Sequence, residues 1–322
     1  SLQIGVHVPK DLIQEEDRIR TRHAAPGSRP LKAAFSESVQ KGVAARMEGV
    51  EFVKERPDLM ILIDCLTLRV DVDIRPVFIY GRYRKLSRGI PQTRWPCRSC
   101  RGRAEGCEAC EGSGLQYPDS VQDLIGEPFR LVLSAENTSF HGMGREDIDV
   151  RCLGRGRPFV LEVKHPRVRR TDLEEVMKVV NSNGADKIEI SDLRWTNRSE
   201  VSRVKETRAE KSYTIRFSVE EQPEESFIIE SISKLSGVTL EQQTPKRVSH
   251  RRADLIRKRK VVSIDNVVVE DSEVQFSVRC EAGTYVKELV HSDEGRTVPS
   301  VAGVLGSPCE VIWLDVEDIH AD

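Results

Sequence analysis

Four cysteines fall within fourteen residues, as Cys97-Arg-Ser-Cys100, six intervening residues, then Cys107-Glu-Ala-Cys110. Each C-x-x-C unit can turn two thiolates toward one ion, and a second unit completes a tetrahedron. Gly102, Gly106, Gly112 and Gly114 supply the tight turns that such a loop needs. The segment therefore folds around a point and punctuates the chain at 96–118. Disulfides are the competing pairing, but no secretory leader opens the chain, and zinc is the reading preferred. Pro96-Cys97-x-x-Cys100 matches half of the zinc deaminase signature, yet no H-x-E precedes it, and four thiolates leave no open position for water. The expected zinc is structural. Cys65, Cys152, Cys280 and Cys309 are scattered and read as core residues.

Either side of this loop the patterning changes. Residues 1–95 read as an α/β accessory domain: a charged helix over 9–22, a second helix over 31–48, and strands over 58–65, 66–73 and 77–83. Residues 119–322 read as α+β. A helix over 120–135 leads to a strand at 157–163, and Thr171-Asp-Leu-Glu174 reads as a capping box opening the next helix. Strands over 187–195, 213–219, 258–269, 272–281 and 309–315 outnumber what a βαβ repeat would give. The fold class expected is α+β with a mixed, mainly antiparallel sheet. The longest apolar run, Leu59 to Ile63, is far short of a membrane span. The chain opens on Ser1, so an incomplete N-terminus is also expected.

The net charge of −2 conceals segregation along the chain. Residues 82–103 hold eight basic residues and no acid, 151–170 seven against one, and 246–260 eight against one. This pattern predicts a polyanion-binding surface, with Arg84, Lys85, Arg251 and Arg252 among its contacts. The competing reading is three solvated loops that share no face.

Residues 140–147 run Phe-His-Gly-Met-Gly-Arg-Glu-Asp, bringing Asp147 out of a glycine-rich stretch in a G-R-x-D context. Pseudouridine synthases carry their essential aspartate in such a context. The continuation, Asp147-Ile-Asp-Val-Arg-Cys-Leu-Gly-Arg-Gly-Arg-Pro-Phe159, closely resembles the archaeal and eukaryotic "Pus ten" tRNA pseudouridine synthases. The stretches 80–97, Thr244-Pro-Lys-Arg-Val-Ser-His-Arg-Arg-Ala-Asp254 and Ala282-Gly-Thr-Tyr-Val-Lys-Glu-Leu-Val-His291 resemble further motifs of that family, so the likeness covers most of 80–322. The first 80 residues resemble its THUMP-containing accessory region only loosely.

The resemblance implies isomerisation of uridine 54, uridine 55 or both in the TΨC loop of tRNA. It implies Asp147 as the reacting carboxylate and Lys287 as the nearby cation, with Asp149 as second choice. Tyr213, in Lys211-Ser-Tyr213, is implied as the platform for an extruded base. Leu314 is implied as pocket lining, Tyr285 as packing below it, and Arg145 as a substrate contact. Zinc apart, no cofactor is expected; a monomeric, cytoplasmic, archaeal protein with tRNA as partner and no membrane contact is. Two rivals remain from the residues alone. One is a non-catalytic RNA-binding protein that keeps the fold, and the other a zinc hydrolase.

Overall fold

The computed structural model describes residues 1–24, 27–221 and 223–321; the side chain of Arg251 lies outside what is described. The chain forms two compact units. One comprises 1–77 with the short returns 130–138 and 163–170, the other 78–129, 139–162 and 171–322.

The first unit holds strands β1 (Leu2–His7), β2 (Leu59–Asp64) and β3 (Val70–Ile74), in the order β1-β2-β3. β1 runs parallel to β2, and β3 antiparallel to it. Helices α1 (Lys10–Arg22) and α2 (Leu31–Ala44) lie between β1 and β2 in the chain. Phe35, Val39 and Val43 follow helical spacing on α2 and pack against Leu2, Ile4 and Ile63.

The second unit is built on a ten-stranded sheet. Its strands are β4 (Val77–Lys85), β5 (Asn137–Gly142), β6 (Arg151–Lys164), β7 (Ile188–Thr196), β8 (Glu210–Val219), β9 (Thr239–Gln243), β10 (Ile256–Glu270), β11 (Glu273–Cys280), β12 (Thr297–Val298) and β13 (Cys309–His320). The order is β12-β9-β10-β11-β8-β13-β6-β4-β7, with β5 beside β6. Neighbours from β12 to β13 are antiparallel, whereas β13 and β6 meet in parallel at Asp315–Arg151 and Val316–Cys152. Ile215, Phe217 and Val219 on β8 and Val274, Phe276 and Val278 on β11 alternate into the core. Helices α3 (Val121–Val132), α4 (Leu173–Asn183), α5 (Arg198–Glu206), α6 (Glu225–Ser233), α7 (Val286–His291) and α8 (Val301–Leu305) follow along the chain. Ile228 and Ile232 of α6, Leu289 and Val290 of α7, and Val301 and Leu305 of α8 belong to the same core. The fold is thus mixed α+β with a mainly antiparallel sheet.

Three details differ from the sequence reading. The boundary between units falls at 77, not 95, because β4 is buried along nearly its whole length as an interior strand of the large sheet. The helix α4 (Leu173–Asn183) is capped by Asp172, whose carboxylate accepts from the amides of Glu174 and Glu175; Thr171 is not the cap. Strands β1, β5, β9 and β12 lie where the sequence reading places no strand. Among the described residues no helix is long and apolar enough to cross a membrane.

Candidate active site and metal centre

Asp147 stands in the loop between β5 and β6, and that loop is tied down from several sides. Lys85, pointing inward from β4, donates its ammonium to the carbonyls of Asp147 (3.2 Å), Ile148 (3.0 Å) and Ile90 (2.9 Å). Arg157 of β6 donates to the Met143 carbonyl at 2.8 Å. Its Nε lies 2.9 Å from Glu146, off line for a hydrogen bond, so that buried pair is held by charge. Burial alone would lower the Arg157 pKa, but the Glu146 carboxylate more than offsets this and holds it above its ordinary value. Tyr83 donates to Glu146, and Gln92 donates to both Tyr83 and the Gly144 carbonyl. Arg88 reaches the carbonyls of Asp149 and Leu314 and ion-pairs with Asp315 at 2.7 Å. The aspartate therefore sits on a preorganised base, although the loop itself has no regular structure.

The carboxylate opens onto a cleft of about 290 Å³ that Arg145, Tyr213, Arg252, Tyr285, Lys287 and Leu314 also line. Pockets that enclose small molecules start at roughly 300 Å³, so there is room for about one nucleoside-sized group. Tyr213 comes from β8, and burial holds its phenol protonated well above the ordinary range. Lys211, two residues earlier on the same face, is pushed down to about 8 by burial, with the Arg157 charge acting in the same direction. Leu314 comes from β13, at the parallel junction beside β6. Tyr285 receives a hydrogen bond from Arg252 at 3.0 Å.

The cation nearest Asp147 is one that the sequence reading did not single out. Arg247 Nη1 lies 2.8 Å from Asp147 Oδ2, whereas Lys287 Nζ is 3.7 Å from the same oxygen. Lys287 instead donates to both oxygens of Asp149, at 3.0 and 2.7 Å. Burial would raise the Asp149 pKa, but the Lys287 hydrogen bond and charge outweigh it and hold the carboxyl low. Arg247 sits among eight basic residues in 246–260, where charge counting gave no reason to prefer it.

Two expected RNA contacts are placed elsewhere. Lys85 is fully buried and is a scaffold residue, because the pleat of β4 turns it inward while Arg84 turns out. Arg84 ion-pairs with Glu189 and lines a separate charged hollow with Arg155. Arg252 does line the cleft; the Arg251 side chain is outside the described residues. Part of the charge segregated along the chain is matched by acids in space. Arg94 pairs with Asp123, Arg151 with Asp315 and Arg155 with Asp318. Arg98, Arg101 and Arg103, around the cysteine loop, remain exposed.

The four clustered cysteines converge. Their sulfurs all lie within 4.8 Å of one another, with Cys97–Cys107 at 4.0 Å and Cys100–Cys110 at 3.7 Å. These distances exclude S–S bonds of about 2.05 Å. A tetrahedron with metal–sulfur bonds of about 2.3 Å has edges of about 3.8 Å, so the donor set suits a thiolate-bound metal. Backbone amides, first that of Ala104, pull the Cys100 thiol down to about 6, whereas hydrogen bonding with Cys110 pushes Cys107 up to about 11, so the convergence of the four sulfurs rather than their acidity marks the site. The pairing of Pro96 with Leu115 closes the base of the loop. Cys152, Cys280 and Cys309 are buried as expected, and Cys65 is half-buried.

The family described as "Pus10, C-terminal" matches residues 78–320. The tRNA pseudouridine synthase Pus10 of Methanothrix thermoacetophila is 42% identical over 318 residues, which cover 98% of this chain and 69% of that protein. Its counterpart in Korarchaeum cryptofilum is 40% identical over 324 residues, covering 100% of this chain and 86% of the relative. Among solved structures, a Cbf5-Nop10-Gar1 complex covers 62% of this chain and 45% of the matched chain, at 19% identity and a TM-score of 0.38.

Proposed function

Because the chain belongs to the Pus10 family, we propose that it is a tRNA pseudouridine synthase in which Asp147 isomerises uridine 54, uridine 55 or both in the TΨC loop. The observation that carries this reading is the half-buried Asp147 carboxylate, set on a rigid base and paired with a cation at the mouth of a one-nucleoside cleft. The reaction breaks the C1′–N1 bond, turns the uracil and joins C5 to C1′; the proton lost from C5 is matched by one gained at N1. Oxidation state does not change, so one ionised carboxylate, acting at C1′ or as a base on the sugar, is sufficient chemistry. The target base must leave its stack to reach Asp147. Tyr213 offers the aromatic face, Leu314 the apolar wall, and Arg145 and Arg252 the cations for flanking phosphates.

The four-cysteine loop is proposed to bind zinc with a structural role. Four thiolates close the coordination sphere, so zinc hydrolysis is the weaker reading. Residues 1–77 are proposed as a THUMP-like accessory RNA-binding domain and 78–322 as the catalytic domain with its metal loop at 96–118. A monomer acting on tRNA in the cytoplasm completes the proposal. The test is an unmodified tRNA transcript incubated without cofactor, with pseudouridine mapped by carbodiimide-stalled reverse transcription. Asp147→Asn should abolish turnover with little change in tRNA affinity, because phosphate contacts supply most of the binding. Asp149→Asn should stay active; the opposite pattern would transfer the role to Asp149, full activity of Asp147→Asn would end the assignment at this residue, and a wild type that binds tRNA without turnover would favour a binding protein.

A further inference from the structure

We infer that Arg247 and Glu288 form a positioning pair, in which the buried Glu288 carboxylate fixes the Arg247 guanidinium so that it holds one oxygen of Asp147 and leaves the other to the substrate. The inference rests on the reading of Asp147 as the reacting carboxylate. Glu288 is 1% exposed and lies on α7, one residue after Lys287. It receives Arg247 Nε at 2.6 Å and Nη2 at 3.3 Å, a two-pronged grip that sets the plane of the guanidinium. The remaining nitrogen, Nη1, then points at Asp147 Oδ2. Arg247 lies on a short 3-10 turn, Lys246–Arg251, a kind of element that does not by itself fix a long side chain. The ends of that turn are pinned separately: Asp293 accepts from the Lys246 amide at 3.0 Å, and Arg252 reaches Tyr285. Burial would lower the Arg247 pKa, but Glu288 and then Asp147 more than offset it, as expected of a cation between two carboxylates.

This division gives each cation near the loop its own task. Lys287 is held by Asp149, Lys85 binds backbone carbonyls, and Arg157 is spent on Glu146. Arg247 alone among these four contacts a carboxylate oxygen of Asp147 within 3 Å. Glu288, buried beside the cleft, has its compensating charge in that cation.

Removing Arg247 by itself would strand Glu288, so the decisive variant is the charge-neutral double substitution Arg247→Gln with Glu288→Gln. It should melt near the wild type and bind tRNA with an unchanged Kd. Its single-turnover rate should fall about 10- to 100-fold, roughly 1.4–2.7 kcal/mol at 1.36 kcal/mol per decade. Glu288→Gln alone should lower kcat several-fold with KM unmoved, and should do nothing further once Arg247 is glutamine. Arg247→Lys should restore part of the lost rate. A double variant with wild-type turnover, or a Glu288→Gln effect that persists undiminished in the Arg247→Gln background, overturns the pair. Asp147→Asn run alongside separates the two levels: if it is dead while the double variant is fully active, only this inference fails. If Asp147→Asn is active, the underlying assignment fails.

Discussion

Replacing Lys85 with methionine removes one ammonium and keeps nearly the same side-chain volume. Three carbonyls, the buried one of Ile90 and the part-buried ones of Asp147 and Ile148, would lose the donor that a fully buried side chain brings to them. A stranded buried acceptor costs about 1 kcal/mol or more, so the gross loss is roughly 3 kcal/mol. Part of it returns, because burial disfavours the ammonium and lowers its pKa. A net destabilisation on the order of 2 kcal/mol corresponds to a drop in Tm of roughly 4–8 °C for a domain of this size. Two of the three carbonyls belong to the Asp147 loop, so on the proposed role of Asp147 turnover at saturating tRNA should fall as well. The assays are a thermal melt, the single-turnover rate, and tRNA affinity across a salt series. A phosphate contact would show the reverse pattern: an unchanged melt and a salt slope shallower by about 0.7–0.9. That pattern would refute the scaffold role and return Lys85 to the RNA surface.

Substituting Cys100→Ser together with Cys110→Ser should release the 96–118 loop to proteolysis and weaken tRNA binding, while slow turnover persists at saturating RNA. Turnover that disappears with fold and binding intact would instead place the metal in the chemistry. Lys211 gives a pH-dependent test. Its folded pKa of about 8 lies below the roughly 10.4 of free lysine, so its contribution to stability is complete above that value and is lost as pH falls through 8. Lys211→Met should therefore be more stable than the wild type at pH 7, with the gap narrowing toward pH 10 in denaturant titrations; a gap that ignores pH would show that the ammonium is not desolvated.

The parts of this fold that were legible in the sequence are those with a strict period or a fixed spacing. β8 and β11 alternate cleanly because each has one face in the core. The C-x-x-C pair was readable because ligand spacing is a local property. β9 was not, since Thr-Leu-Glu-Gln-Gln looks like a loop; Gln242 is fully buried there because it exchanges hydrogen bonds with the Tyr285 backbone. β4 is covered on both faces, so its pattern could not show which basic residues turn inward. The three basic segments were legible as charge, but not the ion pairs within them, for a related reason. Their acidic partners, Glu146, Glu189, Glu288, Asp315 and Asp318, are mostly distant in the chain, and only the fold brings them together. The same applies to Arg247, whose partners Asp147 and Glu288 lie 100 and 41 residues away.

The junction between β13 and β6 has a consequence for how the enzyme comes into being. β13 pairs with β8 on one side and β6 on the other, so it splices two blocks of sheet that otherwise share no strand edge. Gly154 allows the splice to close, since a Cβ there would stand 1.9 Å from the Glu317 carbonyl. Every other strand of the sheet precedes β13 along the chain, and β6 must wait for a partner about 160 residues downstream, with the loss of chain entropy that such a closure carries. During synthesis the Asp147 loop therefore lacks the wall that Leu314 provides until β13 has emerged. A nascent chain would hold most of its cations and its acidic partners before it holds a competent cleft, so tRNA chemistry begins only when the sheet is whole.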